Sequence, residues 1–142
     1  MSPTVRHLDL SLLLLRLGVG LVMAMWTADK FINPAHSGAV LQNFYGLPAL
    51  GSEVFVVFGV IQAVIVLLFV TGTFRTLSYG AVLLMHAGST FSSWRQYLDG
   101  FDNLLFFAAW PMLAACIALF LLRAHDRLLS VDALRQSRML TA

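Results

Sequence analysis

Three polar side chains sit inside otherwise apolar stretches of this sequence: Arg16, Gln62 and His86. A guanidinium can hold an anion or a carbonyl oxygen, an amide donates and accepts, and an imidazole accepts or passes on a proton. Each is expensive to place among lipid tails, so each invites a partner or a role. Together they point to a ligand with few polar atoms, or to bonds that only hold helices together.

Arg16 lies about seven residues into the first apolar stretch, roughly 10 Å along a helix. Two readings stand. The side chain can snorkel to the headgroups, or it can face inward and hold an anionic or carbonyl-bearing group. Gly20, Met23, Thr27 and Lys30 follow it at helical spacing on one face, which suits a bundle interior. His86 lies about ten residues into the third stretch, roughly 15 Å deep. Gln62 enters the second stretch from the opposite side. Antiparallel helices would bring these two to one depth, within side-chain reach. The plainer alternative is an interhelical hydrogen bond, worth about 0.6 kcal/mol.

Phe55, Phe58, Ile65 and Phe69 share the Gln62 side of the second stretch. Aromatic walls with an amide and an imidazole would suit a flat, lipid-soluble ring such as a quinone. The candidate pocket is therefore Arg16, Gln62, His86 and Phe58. Aromatic stripes at helical spacing also arise from packing alone. Past His86, Ser89, Thr90, Ser93 and Tyr97 extend a polar stripe toward the end of the third stretch. It would line a hydrated path or a groove beside a ligand, unless the hydroxyls bond their own backbone carbonyls.

Other chemistries find little footing. His86 is the only deep histidine, so an intrachain bis-histidine haem is not expected, and no Cys/His cluster has metal-site spacing. The lone Cys116 excludes a self-contained dithiol mechanism, though not a thiol carried by a partner. No basic stripe with interleaved aromatics exists, so nucleic acid is not an expected partner.

The elements that position these residues follow from composition. Of 142 residues, 59% are hydrophobic and 11% charged, against about 25% charged in a soluble domain. Mean hydropathy is +0.82. Too few polar side chains exist to cover a water-facing surface, so lipid is the expected solvent. The expectation is one all-α domain: an integral membrane four-helix bundle spanning at about 8–30, 53–71, 76–95 and 103–123. The first stretch is longer than a signal-peptide core and has no clear cleavage site, so it reads as a span. Pro111, inside the fourth, predicts a kink. Between the first two spans, segment 31–53 carries Pro34, Pro48, Gly46 and Gly51 with an amphipathic piece at 38–45. It reads as a short extracytoplasmic helix or an irregular loop.

Basic residues set the orientation. Arg6, Arg75, Arg123, Arg127, Arg135 and Arg138 fall on the side of the termini, Lys30 and Arg95 on the other. Six against two predicts both termini in the cytoplasm. On the outer side, Asp29, Lys30, Glu53, Arg95 and Asp102 form a charged layer, joined by Asp99, that would tie spans together or bind a partner. Gly20-x-x-x-Ala24-x-x-x-Ala28 is a seam for close helix approach.

The first span and its exit, Arg16-Leu17-Gly18 through Asp29-Lys30-Phe31-Ile32-Asn33-Pro34, resemble the opening motif of the DoxX family of small membrane proteins. Glu53, Gly72 and the tail Ser130-Val131-Asp132-Ala133-Leu134 fit the same pattern, over nearly the whole chain. The sequence departs from it at Phe101-Asp102-Asn103, where the family often has a glutamate. The resemblance implies a four-helix bundle in the bacterial inner membrane, often one component of a quinone-linked or thiol-linked redox complex. No self-sufficient catalytic constellation is present, so at most one subunit of a quinone-linked oxidoreductase is expected. Quinone is the expected loosely bound cofactor, with no covalent group and no metal. The lipid bilayer and other membrane or peripheral redox subunits are the expected partners. Two other readings are a non-catalytic accessory or assembly subunit of a respiratory complex, and a small-solute carrier using the Ser89–Tyr97 stripe.

Overall fold

The structure is a computed structural model that describes residues 3–48 and 50–141. Among these residues it is helical without strands. The elements are α1 (Pro3–Ile32), α2 (Pro34–Tyr45), α3 (Ser52–Val70), α4 (Arg75–Ser92), α5 (Trp94–Leu98), a 3-10 turn (Leu104–Ala108), α6 (Ala109–Leu121) and α7 (Val131–Thr141). Among the described residues, three helical segments are long and apolar enough to cross a membrane: Arg6–Ile32, Ser52–Val70 and Leu104–Leu121. The third expected span, α4, is not among them. It has the length, with 18 residues, but His86 and its serines and threonines dilute the apolar run.

Local chemistry explains the element boundaries. Pro34 opens α2 at a position where a missing N–H costs nothing. Gly46 closes it in the left-handed region, at φ 65°. The helix expected at 38–45 therefore begins a turn earlier. Glu53 lies in the first turn of α3, where a carboxylate complements the helix dipole. Gly72, at φ 63°, turns the chain from α3 into α4. Pro111 does not interrupt a helix. It is the third residue of α6, and the preceding turn is 3-10. Its missing N–H falls in the first turn, where amides lack intrahelical partners anyway. The break expected at Pro111 lies just before it, as a change of helix type.

The four long helices close a ring. α1 packs along α3, α3 on α4, α4 on α6, and α6 returns to α1 over a shorter stretch. Leu12, Val19 and Met23 of α1 meet Val66 and Phe69 of α3, Tyr79 and Val82 of α4, and Cys116 and Leu119 of α6. The outer faces carry large apolar side chains such as Leu21, Val57, Leu67, Leu84 and Leu105. So much apolar surface on a small chain fits lipid contact.

The α1–α3 seam rests on two glycines. A Cβ on Gly20 would lie 2.5 Å from Val70 Cγ2, and one on Gly59 would lie 2.9 Å from Phe31 Cζ. Ala24 and Ala28, the rest of the expected small-residue seam, are exposed and half-buried. Gly59→Leu should cost about 1–3 kcal/mol by overpacking. Gly88, with nothing within 4 Å of its added Cβ, should accept alanine within about 0.5 kcal/mol. Denaturation in detergent, followed by helical circular dichroism, checks both.

Candidate functional site

Arg16 is completely buried despite its full charge, so its partners decide its role. Its Nη1 lies 3.0 Å from Asp126 Oδ2 in an ion pair whose side chains are both 0% exposed. Nη1 also reaches the Tyr79 hydroxyl at 3.3 Å, and that hydroxyl donates to Asp126 Oδ2 at 2.6 Å. Nη2 donates to the carbonyls of Leu128 at 2.6 Å and Leu129 at 3.1 Å. Arg16 does not snorkel. It faces inward, and the anion it holds is supplied by the segment after α6.

The surroundings are built to this shape. A Cβ at Gly72 would stand 2.9 Å from Arg16 Nη1 and 2.8 Å from Ser130 Oγ. Ser130 Oγ donates to the Gly72 carbonyl at 3.1 Å. The amides of Val131 and Asp132 donate to the carbonyls of Thr71 and Gly72. Asp132 then caps α4 from a distance, accepting the Arg75 amide at 2.9 Å. Leu129 sits at φ 49°, a left-handed backbone that costs a non-glycine residue about 1–2 kcal/mol. The Arg16 bond to its carbonyl holds that conformation. Arg16 Nε and Asp126 Oδ1 are buried without a hydrogen-bond partner among the described residues.

Gln62 is also engaged. Its Nε2 donates to the Met23 carbonyl at 3.4 Å, joining α3 to α1. His86 Nε2 lies 3.0 Å from the Ala109 carbonyl, joining α4 to the start of α6. Among the described residues, no hydrogen bond joins Gln62 to His86. They approach α1 one turn apart, at Met23 and at Trp26, whose ring centroid is 5.8 Å from the imidazole. Phe58 faces outward at 45% exposure, while Phe55 and Phe69 are buried. The four candidates therefore do not converge on one pocket.

A groove of about 940 Å³ does form, between α1, α4 and α6, where the α1–α6 contact is short. Its α1 wall runs through Leu15, Gly18, Val22 and Trp26, and its α6 wall through Ala109, Met112 and Ala115. The polar residues reaching it from α4 and its C-cap are His86, Ser89 and Ser93, at helical spacing on one face. Leu14, Leu15 and Leu105 on its rim are exposed, so it opens on the apolar outer surface. Thr90 turns away and donates to the His86 carbonyl at 2.8 Å, and Ser93 donates to the Ser89 carbonyl at 3.2 Å. Two hydroxyls of the expected stripe are thus bonded within their own helix. Tyr97 packs instead between Phe107 and Trp110.

The outer charged residues do not tie the spans together. Among the described residues, no ion pair joins Asp29, Lys30, Glu53, Arg95 and Asp102 to one another. Asp29 meets His36 Nδ1 at 2.7 Å, linking α1 to α2. Lys30 donates to the Trp26 carbonyl at 3.2 Å, and Arg95 lies over the Trp94 ring.

Asp126, Tyr79 and Trp26 are the residues that sequence reasoning overlooked. Asp126 had a signal: it is an acid set among His125, Arg123 and Arg127, on the side of the chain toward which Arg16 would reach. Comparison with family models, with curated proteins and with solved structures gave no match.

Removing one partner of a buried ion pair leaves the other charge uncompensated, at a cost of about 3–5 kcal/mol. Asp126→Asn and Arg16→Met should each destabilise the protein by that order. Arg16→Met combined with Asp126→Leu should recover most of the loss. Tyr79→Phe, which removes one hydrogen bond to a carboxylate, should cost about 1.5–3 kcal/mol. Unfolding curves of the four variants in one detergent give the comparison.

Proposed function

We propose that this chain is a membrane-embedded subunit of a redox complex that holds a quinone-type ring in the groove between α1, α4 and α6. The observation that carries the reading is the buried His86 in the wall of a large, mostly apolar groove, shared with Ser11, Ser89 and Ser93, that opens on the apolar outer surface. Ligand sites of this kind are mostly apolar with a few placed polar groups. A lipid-soluble ring would enter sideways from the bilayer, with its tail left among the acyl chains. Arg16, Gln62 and Phe58 drop out of the ligand set, because Arg16 is paired with Asp126 in the segment after α6, Gln62 bonds α1, and Phe58 faces outward.

We read α4 as a fourth crossing. What supports this is that it packs between α3 and α6 while its Ser78, His86 and Thr90 are turned inward and hydrogen-bonded. Such inward bonding makes a polar helix tolerable in a bilayer. The arginine asymmetry supports cytoplasmic termini, and the resemblance of the first span and tail to DoxX proteins supports a bacterial inner-membrane redox setting. The second reading is an accessory subunit without a ligand. It is favoured by the same loss of Arg16 and Gln62, which leaves few polar groups to recognise anything.

Gly18 separates the two. It lines the groove, and an added Cβ there meets nothing within 4 Å. Gly18→Phe should fill the groove and leave the fold intact. Binding of a short-tailed ubiquinone to the protein in lipid nanodiscs should be saturable in the parent and weakened at least about tenfold in the variant, ~1.4 kcal/mol. Absence of saturable binding in the parent, with a large partner co-purifying, would favour the accessory reading instead.

A further inference from the structure

A separate cleft of about 640 Å³ lies where α4 begins and α6 ends. Arg75, Arg123 and Asp132 line it, with the Thr76 hydroxyl. Phe74, Leu77 and Leu121 form its apolar part, and all three are exposed. Leu121 is the last residue of an apolar span. The cleft therefore lies where span gives way to polar loop, on the arginine-rich side of the chain.

Both guanidiniums are anchored and still have donors to give. Arg75 Nη1 donates to the carbonyls of Arg123 at 2.8 Å and Asp126 at 2.7 Å. Arg123 donates from Nη1 to the Phe120 carbonyl at 2.6 Å and from Nε to Thr76 Oγ1 at 3.2 Å. Its Cζ lies 4.5 Å from the centre of the Phe120 ring. Among the described residues, Nη2 of neither arginine bonds to the protein, and neither Nη2 is sealed from the surface. Thr76 accepts from Arg123 and keeps its own proton for another acceptor.

The acid of the cleft is already engaged. Asp132 Oδ2 accepts the Arg75 amide at 2.9 Å and lies 3.8 Å from Arg75 Nε. Its Oδ1 lies 3.9 Å from Nη1 of Arg135, whose guanidinium reaches over the Phe74 ring. Three cations thus surround one carboxylate, and the local balance is positive. Anchored guanidiniums lose little freedom on binding and match phosphate oxygens. A free anion would use these donors and leave Phe74, Leu77 and Leu121 uncovered. A phospholipid would use both. A choline head would bring a further cation to a site already in excess of positive charge.

We propose that this cleft binds the phosphate of an anionic phospholipid whose head carries no cation, such as phosphatidylglycerol. Arg75, Arg123 and Thr76 hold the phosphate, and the acyl chains lie along Phe74, Leu77 and Leu121. The proposal is independent of what the groove between α1, α4 and α6 holds.

Native mass spectrometry of the full chain in a mild detergent tests it, with phosphatidylglycerol or phosphatidylcholine of the same acyl chains added in turn. The parent should bind its first phosphatidylglycerol at least about tenfold more tightly than phosphatidylcholine. Thr76→Glu puts an anion into the cleft, while a carboxylate in the first turn of α4 complements the helix dipole and should preserve the helix. It should weaken phosphatidylglycerol binding at least about tenfold, and Arg123→Gln should weaken it about fivefold. Arg127 is exposed in the same loop and does not line the cleft. Arg127→Gln should stay within about twofold of the parent. Inorganic phosphate in large excess should displace little of the lipid. Equal binding of the two lipids by the parent would overturn the proposal. So would undiminished binding in Thr76→Glu with its helical circular dichroism intact, and Arg123→Gln decides if that helicity is lost. A loss in Arg127→Gln as large as in Arg123→Gln would show attraction to overall charge and overturn the site. Full displacement by inorganic phosphate would assign the cleft to a free anion and overturn the lipid.

Discussion

A guanidinium fully withdrawn from solvent must find a counter-charge and carbonyl oxygens within the chain, and Arg16 finds all of them in the segment that follows α6. That requirement shapes one end of the molecule. Asp126 is drawn inward, Leu129 is held in a left-handed backbone, and Tyr79 turns its hydroxyl into the same carboxylate. Gly72 must lack a side chain because the guanidinium and Ser130 occupy the space. The first amides of α7, at Val131 and Asp132, donate to the carbonyls of Thr71 and Gly72, which positions Asp132 to cap α4. Four parts of the chain, widely separated in sequence, meet at one charge. Replacing the pair by apolar residues need not weaken the fold, since buried ion pairs often do little better than apolar packing. What the pair adds is a single permitted arrangement of the loop after α6.

This arrangement also separates structural from ligand-binding roles. Several polar residues of the first helix, the α3–α4 turn and the tail act here as ties. Arg16 binds Asp126, Asp29 meets His36, Ser130 holds Gly72 and Asp132 caps α4. Their chemistry is spent inside the chain. His86 differs in its place, because it lies in the wall of the groove and joins α4 to the start of α6. The two polar side chains that sequence position placed beside it are occupied elsewhere, and the groove it lines also holds Trp26 and three serines, Ser11, Ser89 and Ser93.

The helical elements were legible because apolar runs and their breakers are local signals. The turn at 71–75, the helix after Pro34 and the back-bonding of Thr90 and Ser93 all follow from residues a few positions apart. The partners of the buried polar groups were not legible, because they depend on which helix faces which. Gln62 and His86 are expected to meet, but each bonds a backbone carbonyl on a different helix, Met23 of α1 for one and Ala109 of α6 for the other. Phe58 was grouped with Phe55 and Phe69 by spacing, yet the buried face of α3 runs through Phe55, Gly59, Gln62, Val66 and Phe69, and Phe58 falls just outside it. Asp126 lies 110 positions from Arg16, and no periodicity links them. Pro111 was read as a kink because the start of α6 could not be told from the apolar run that precedes it.

The central claim is that Arg16 closes the fold while the groove beside His86 receives the ligand. Photo-crosslinking of an azido-quinone to the protein in nanodiscs, with the modified residues located by mass spectrometry, tests it most directly. The account predicts labelling confined to the groove walls, at Leu15, Gly18, Val22 and Trp26 on α1 and at Ala109, Met112 and Ala115 on α6, competed away by unlabelled ligand. Competable labelling around Arg16, Asp126 and Tyr79, or on the Gln62 face of α3, would contradict it.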